Sequence, residues 1–280
     1  MSENRRTWLV TGVSTGLGRA IAEAALRRGD AVIGTLRKAE QVAAFEALAP
    51  GRATARLLDV TDRAKVYEVA RSAIEAAGGV DVVVNNAGYG LCGAAEEVSD
   101  AEIRHQMETN FFGLVEVTRA ALPFMRARKR GHFVNISSVA GFKGILGMSV
   151  YSASKFAVEG FSEALADECA PLGIRVTIVE PGGFRTNWSS STALVRSARV
   201  IEDYTPTAGA VRTMLEKYDG HQPGDPVKGA AAILTAVDSP QPPLRLPLGA
   251  DAVKYLRDKL AQMTQELDAW EKVASATAFD

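Results

Sequence analysis

The segment from Thr7 to Arg28 constrains the fold more than any other part of the chain. A short apolar run, Trp8-Leu9-Val10, reads as a strand, and Leu17, Ala20, Ile21, Ala24 and Ala25 recur at helical spacing behind it. Between the two lies Thr11-Gly12-Val13-Ser14-Thr15-Gly16-Leu17-Gly18. A glycine-rich turn from strand to helix gathers backbone N–H groups at the positive end of a helix dipole, an arrangement that suits a pyrophosphate. Glycine lets the turn tighten and a ligand approach the backbone closely. The glycines stand at the first, fifth and seventh positions counted from Gly12, which departs from the G-x-G-x-x-G spacing of other dinucleotide sites.

The strand–helix rhythm continues along the chain. Besides Thr7–Val10, strands are expected over Ala31–Thr35, Thr54–Leu58, Val80–Asn85, His132–Ser137, Arg175–Val179 and Leu244–Leu248. Helices are expected over Leu17–Arg28, Glu40–Leu48, Arg63–Ala76, Asp100–Ala127, Ser152–Ala170, Pro226–Val237 and, as a final amphipathic segment, Asp251–Val273. Near-continuous apolar strands alternating with helices imply an α/β fold: a doubly wound, Rossmann-like parallel sheet of about seven strands with helices on both faces. Right-handed crossovers then place a ligand at the carboxyl ends of the strands. No polar linker interrupts the 280 residues, so they read as one domain. Only 185–224 breaks the rhythm, with Trp188, Ser189-Ser190-Ser191, Tyr204-Thr205-Pro206 and Met214; an irregular insertion there reads as a substrate lid, or else as an outer pair of helices that only packs.

Composition narrows the function classes. A net charge of −1 offers no basic surface for nucleic acid or an anionic membrane. The run Arg126 to Arg130 falls at a helix end, where cations complement the dipole. Cys92 and Cys169, the 2 cysteines, make neither a metal spacing nor a disulfide framework. The polar start Met1-Ser2-Glu3-Asn4-Arg5-Arg6 is unlike a signal peptide, and no apolar stretch is long enough to cross a bilayer. A cytoplasmic enzyme is expected. His105, His132 and His221 are scattered and are given no ligand role.

Further motifs follow in order. Asn86-Ala87-Gly88 comes after the apolar run Val82-Val83-Val84, and Asn110 lies in a predicted long helix. Ser138 precedes Tyr151-Ser152-Ala153-Ser154-Lys155, and Pro181-Gly182 follows the strand Val176-Thr177-Ile178-Val179. With the glycine turn, these motifs resemble the short-chain dehydrogenase/reductase family in its single-domain form, over roughly residues 7 to 186. Each motif is common alone; their joint order is specific.

The resemblance implies a pyrophosphate against Gly12, Gly16 and Leu17, an adenine beside Asp59 and Val60, and a ribose bordered by Asn86, Ala87 and Gly88. Pro181, Gly182 and Thr186 would complete the cofactor site. Asp59 has a competing reading as the cap of the helix from Arg63. At the end of the second strand an acidic residue selects NAD, whereas an arginine accommodates the 2′-phosphate of NADP. This chain reads Thr35-Leu36-Arg37-Lys38, with no carboxylate before Glu40. Arg37 offers a phosphate-gripping fork, and Ser14 and Thr15 can donate from the opposite side. NADP(H) is therefore the expected cofactor.

Tyr151 and Lys155, four apart at a helix start, share one face. By resemblance, Tyr151 is the general acid/base, Lys155 supports it and holds the nicotinamide ribose, Ser138 bonds the substrate oxygen, and Asn110 links to the lysine through water. Ser137 competes with Ser138. Lowering a tyrosine from about 10 to about 7 needs roughly 4 kcal/mol, and one ammonium about 4 Å away supplies a comparable term at a dielectric of about 20; desolvation offsets part of that gain, so the positive nicotinamide of the oxidised cofactor is expected to help. No metal is needed. Expected walls of the substrate cleft are Tyr89, Leu91, Phe142, Ile145, Leu146, Met148, Gly183, Phe184 and Trp188, an apolar set suited to a medium-sized lipophilic ketone or alcohol. Leu36-Arg37 and the tail Pro243 to Gly249 resemble hydroxysteroid- and retinol-type branches. A homodimer or homotetramer is expected: by resemblance Asp100–Ala127 and Ser152–Ala170 pair across a two-fold axis, with Ala157, Phe161, Leu165 and Cys169 as a stripe on the second that either forms that face or packs only on its own sheet. Two other functions compete: a non-enzymatic NADP-binding sensor or scaffold, and a nucleotide-sugar epimerase or dehydratase using the same Tyr–Lys chemistry.

Overall fold

The computed structural model describes residues 5–186, 188 and 193–279; the Met1-Ser2-Glu3-Asn4 start and Ser189-Ser190-Ser191 lie outside them. In chain order the strands are β1 (Thr7–Val10), β2 (Ala31–Leu36), β3 (Ala53–Leu57), β4 (Val82–Asn85), β5 (Gly90–Cys92), β6 (Gly131–Ile136), β7 (Ile174–Pro181), β8 (Leu194–Arg196) and β9 (Arg245–Leu248). The helices are α1 (Gly16–Arg27), α2 (Val42–Glu46), α3 (Arg63–Ala76), α4 (Asp100–Met107), α5 (Gly113–Arg128), α6 (Ser149–Cys169), α7 (Ala210–Tyr218), α8 (Pro226–Asp238) and α9 (Ala250–Ser275).

Seven strands form one parallel sheet in the order β3-β2-β1-β4-β6-β7-β9. The inner strands are apolar on both faces because both are covered. One core layer packs Trp8, Val10, Ile21, Val84, Val134 and Ile233 beneath α1 and α8; the opposite layer packs Leu9, Val66, Ile74, Val83, Val117, Met125 and Phe133 beneath α3, α5 and α6. Strand order reverses between β1 and β4, which opens a crevice at their carboxyl ends. Local sequence fixes several helix starts. Ser99 and Glu102 form a reciprocal capping box on α4, Asp62 caps α3, and Asp225 caps α8 with Pro226 at the first helical position.

Four expectations need correction. The helix predicted over Asp100–Ala127 is broken by a π-turn, Glu108–Phe112, between α4 and α5. The helix over Glu40–Leu48 shrinks to a 3-10 turn, Ala39–Gln41, and the five residues of α2. Segment 185–224 holds β8 and α7, and β8 pairs in parallel with β5 in a second small sheet. Within the stripe on α6, Leu165 and Cys169 are buried against the chain's own sheet, so only half-buried Ala157 and Phe161 remain there for a second copy.

Candidate active site

The glycine turn after β1 is braced from β4. Gly12 and Gly16 adopt φ of 73° and 65°, the left-handed region that glycine tolerates best. A Cβ on Gly12 would stand 3.3 Å from the Ala87 backbone, and one on Gly18 would run into the Asn86 side chain and the Gly12 carbonyl. Asn86 Nδ2 donates to the carbonyls of Thr11 (2.9 Å) and Gly12 (3.1 Å), while the Thr11 hydroxyl accepts from the Asn86 and Ala87 N–H groups. Thr15 holds the N-cap of α1 without a side-chain cap bond, so the first-turn N–H groups keep no partner within the helix. Gly12, Ser14, Thr15, Gly16 and Leu17 line a cleft of about 780 Å³.

That cleft runs along the carboxyl ends of the strands. Leu36, Arg37, Lys38 and Gln41 line one end with Asp59, Val60 and Thr61. Arg37 is exposed and has no hydrogen bond or ion pair among the described residues, although its charge helps pull the Asp59 carboxyl down. Lys38 instead lies 3.9 Å from Glu40. Asp59 does not cap α3, which Asp62 does; it accepts from the Thr61 N–H (2.9 Å) and hydroxyl (2.8 Å) and faces the cleft. Asn86, Ala87, Gly88, Pro181, Gly182 and Thr186 continue the wall.

Tyr151, Lys155 and Ser138 meet at the other end, Tyr151 and Lys155 one turn apart on α6 and Ser138 just after β6. The Lys155 Nζ donates to the Ile136 carbonyl at 2.8 Å and stands 5.9 Å from the centre of the Tyr151 ring. Ser137 turns away, its hydroxyl beside the Glu159 carboxylate, whereas the Ser138 hydroxyl bonds the phenol. Burial pushes the phenol of Tyr151 up to about 12, with the Ser138 bond pulling the other way. Burial also pulls the Lys155 ammonium down to about 8, opposed by Glu159. The ammonium gives its hydrogen bond to a backbone carbonyl and by itself does not outweigh the desolvation of a phenolate, so the expected help of the positive nicotinamide is still needed to bring Tyr151 toward 7.

Asn110 sits inside the π-turn and is buried. The extra residue of such a turn rotates a side chain inward, and Asn110 uses it to hold the loop after β4. Its Nδ2 donates to the Tyr89 carbonyl and the Ser154 hydroxyl, and its Oδ1 accepts from the Tyr89 N–H, each at 3.0 Å. Asn110 does not itself line the cleft; it stands behind Gly88, where an added Cβ would lie 3.1 Å from Asn110 Oδ1 and 3.7 Å from Lys155 Nζ.

The substrate-side walls differ from expectation in part. Tyr89, Leu91, Gly183, Phe184 and Trp188 line the cleft. Phe142 lies under the Arg245 guanidinium, Ile145 and Met148 pack in a small core beside Tyr151, and Leu146 is 61% exposed. Residues of 185–224 take their places: Ala193, Val195, Leu215, Tyr218 and Gln222. Trp188 packs over Gly90, and its ring lies 5.6 Å from that of Tyr151. Met214 points outward, one residue from the lining Leu215.

The family model described as short chain dehydrogenase matches residues 6–194. The chain belongs to the short-chain dehydrogenase/reductase family. As a family member it is an oxidoreductase, and among solved proteins of this fold some carry NADP or NADPH and one from Burkholderia phymatum carries NAD. It is 40% identical to "Oxidoreductase BOA17" of Botryotinia fuckeliana, over 98% of this chain and 99% of that one. It is 38% identical to a 3-ketodihydrosphingosine reductase of Bacteroides thetaiotaomicron, over 91% and 94%. The crystal structure of a short-chain dehydrogenase from Streptomyces avermitilis superposes with a TM-score of 0.93 at 48% identity, covering 99% and 100%.

Three contributors escape sequence reasoning. Glu97, 1% exposed, accepts from the Ala94 N–H (2.7 Å), the Ile201 N–H (2.9 Å) and Arg212, which fastens the middle of 185–224 to the body. Burial pushes that carboxyl up, but the backbone bonds and the Arg212 charge outweigh it and hold it ionised. Asp251, at the start of α9, accepts from the Gly183 N–H at 2.7 Å and fixes the loop after β7. His105 lines the cleft with its ring 5.6 Å from Tyr89. A buried carboxylate far along the chain from its partners leaves no local pattern, so no spacing points to Glu97.

Proposed function

We propose that this oxidoreductase uses NADP(H) to interconvert a ketone or aldehyde with the corresponding alcohol, on a medium-sized lipophilic substrate. The observation that carries this reading is the convergence of Tyr151, Ser138 and Lys155 at one end of a cleft whose other end offers an unpaired Arg37. The residues suit a dinucleotide: the Gly12–Gly16 turn leaves room for a phosphate against free N–H groups, and Arg37 stands where the 2′-phosphate would lie.

When bound, the nicotinamide supplies or takes the hydride. Ser138 donates to the substrate oxygen, orients it beside Tyr151 and stabilises charge as it develops there. Tyr151, held protonated at neutral pH, donates its proton to that oxygen as the carbonyl is reduced. Lys155 positions the nicotinamide ribose and favours the phenolate left behind. Asn110 acts by positioning, because it fixes Gly88 and Tyr89 at the lysine's back. Trp188 and Phe184 exclude water from the reacting end. Segment 185–224 serves as the substrate lid, fastened to the body near its middle through Glu97. The apolar wall of Leu91, Phe184, Trp188, Val195 and Leu215 supports a lipophilic substrate, and so does likeness to a reductase named for a keto substrate. NADPH oxidation measured across ketones, steroids, retinoids and acyl thioesters tests this; no turnover with any carbonyl contradicts it.

A further inference from the structure

α9 leaves the body of the molecule after nearly three turns. Ala252 is buried and Leu256 and Lys259 half-buried, but every residue from Leu260 to Ser275 is exposed. That stretch projects about 24 Å at 1.5 Å per residue. A helix of this length is marginal in water without a packed face.

Its apolar residues fall at Val253, Leu256, Leu260, Met263, Leu267, Trp270 and Ala274, in alternating steps of three and four. This heptad spacing lays a single seam along a helix, here about three heptads long. Leu260, Met263, Leu267 and Trp270 are 53%, 49%, 65% and 65% exposed, and Val253 keeps the seam open down to the body at 36%. A continuous row of this kind marks an interaction face.

Charge identifies the occupant. Along the seam's flanks, Arg257 and Lys259 lie in the N-terminal half and Glu266 and Glu271 in the C-terminal half. In a parallel pair, Glu266 of each helix meets Glu271 of the other, setting like charges together on both sides. In an antiparallel pair, Leu260 faces Met263 of the second copy, Leu256 faces Leu267, and Val253 faces Trp270. Lys259 of each helix then meets Glu266 of the other on one flank, and Arg257 meets Thr264 on the opposite flank, with no like-charge contact. A lipid surface fits poorly, because Lys254, Arg257, Lys259 and Lys272 are matched along the helix by Asp251, Asp258, Glu266, Asp268 and Glu271.

We infer that α9 pairs with α9 of a second copy of this chain as a two-stranded antiparallel coiled coil, its two-fold axis at the level of Ala261 and Gln262. The seam is independent of α6, so an assembly built through another face would be doubled by it.

Light scattering and sedimentation on the full chain at micromolar concentration provide the test. Leu260→Asp/Leu267→Asp should halve the particle mass while leaving the thermal melting of the body unchanged, because neither side chain is buried against it. Glu266→Lys should weaken the pair about tenfold, by turning two exposed attractions into repulsions. Lys259→Glu/Glu266→Lys should return it to within about threefold of the original. An unchanged mass in Leu260→Asp/Leu267→Asp overturns the proposal, whether the original chain is monomeric or joined elsewhere. Tighter pairing in Glu266→Lys overturns the antiparallel register, and α9-dependent binding to anionic phosphatidylserine vesicles with no change in mass assigns the face to lipid instead.

Discussion

Replacing Arg37 with alanine should abolish most of the preference for NADPH over NADH. Arg37 is exposed and unpaired at the end of β2, with no carboxylate before Glu40, so its fork is free for a 2′-phosphate. Two unit charges about 4 Å apart interact by about 1 kcal/mol in water, and by more near a protein surface. A 2′-phosphate carrying between one and two charges therefore gains about 2 kcal/mol from the guanidinium, within the range of about 1.5–3 for a hydrogen bond to a charged group. At about 1.4 kcal/mol per tenfold, that is roughly thirtyfold in kcat/KM. The contact is open to solvent, so the preference should shrink as salt rises and the Debye length falls below about 10 Å. The assay is the NADPH-to-NADH ratio of kcat/KM for the original chain and Arg37→Ala, each at low and high ionic strength. Lys38→Ala should cost less, because Lys38 already lies near Glu40. An unchanged ratio in Arg37→Ala removes Arg37 from the phosphate site and takes the argument for NADP with it.

Trp188→Ala should raise KM for carbonyl substrates about tenfold, on the scale of one lost aromatic wall. NADPH affinity, read by fluorescence titration, should hardly change; an equal loss for both ligands would mean that Trp188 supports the cofactor and is not a substrate wall. His132 offers a stability test. Its imidazole is buried between β6 and β7 with Nε2 2.9 Å from the Thr177 hydroxyl, and burial pulls it down to about 4. A folded value below the unfolded one means that the unfolded chain gains the proton first, so stability is lost as pH falls from about 6.5 toward 4, by about 3 kcal/mol. Urea unfolding of His132→Asn should show a shallower slope across that window, and an equal slope would place the acid sensitivity elsewhere.

The sheet was legible because its signals are local. Thr7–Val10 and Arg63–Ala76 match the observed elements residue for residue, and the other main-sheet strands shift by only one or two positions at their ends. The glycine turn and Tyr151 through Lys155 could likewise be placed, since each joins a strand or helix to a fixed chemistry. What was missed depends on contacts distant in sequence. β5 and β8 are three residues each and exist only because they pair with one another. The π-turn at Asn110 follows from bonds to Tyr89 and Ser154, which periodicity does not register. Phe142, Ile145, Leu146 and Met148 look like a cleft wall in sequence, but the turn into α6 points them beneath Arg245, into a core beside Tyr151, or out to solvent. The direction of the Tyr151 shift required knowing how deeply the phenol is buried and where Lys155 sends its proton.

In the proposed mechanism Tyr151 delivers the proton to a carbonyl oxygen. Tyr151→Phe keeps the ring that packs against Trp188 and deletes only the acid, so folding and NADPH binding should survive. Single-turnover reduction of an identified ketone by the NADPH-loaded variant isolates the chemical step from product release. That rate should fall by at least about a hundredfold, the lower end of what a positioned general acid contributes, with NADPH fluorescence enhancement unchanged. A Tyr151→Phe rate close to that of the original chain would contradict the mechanism.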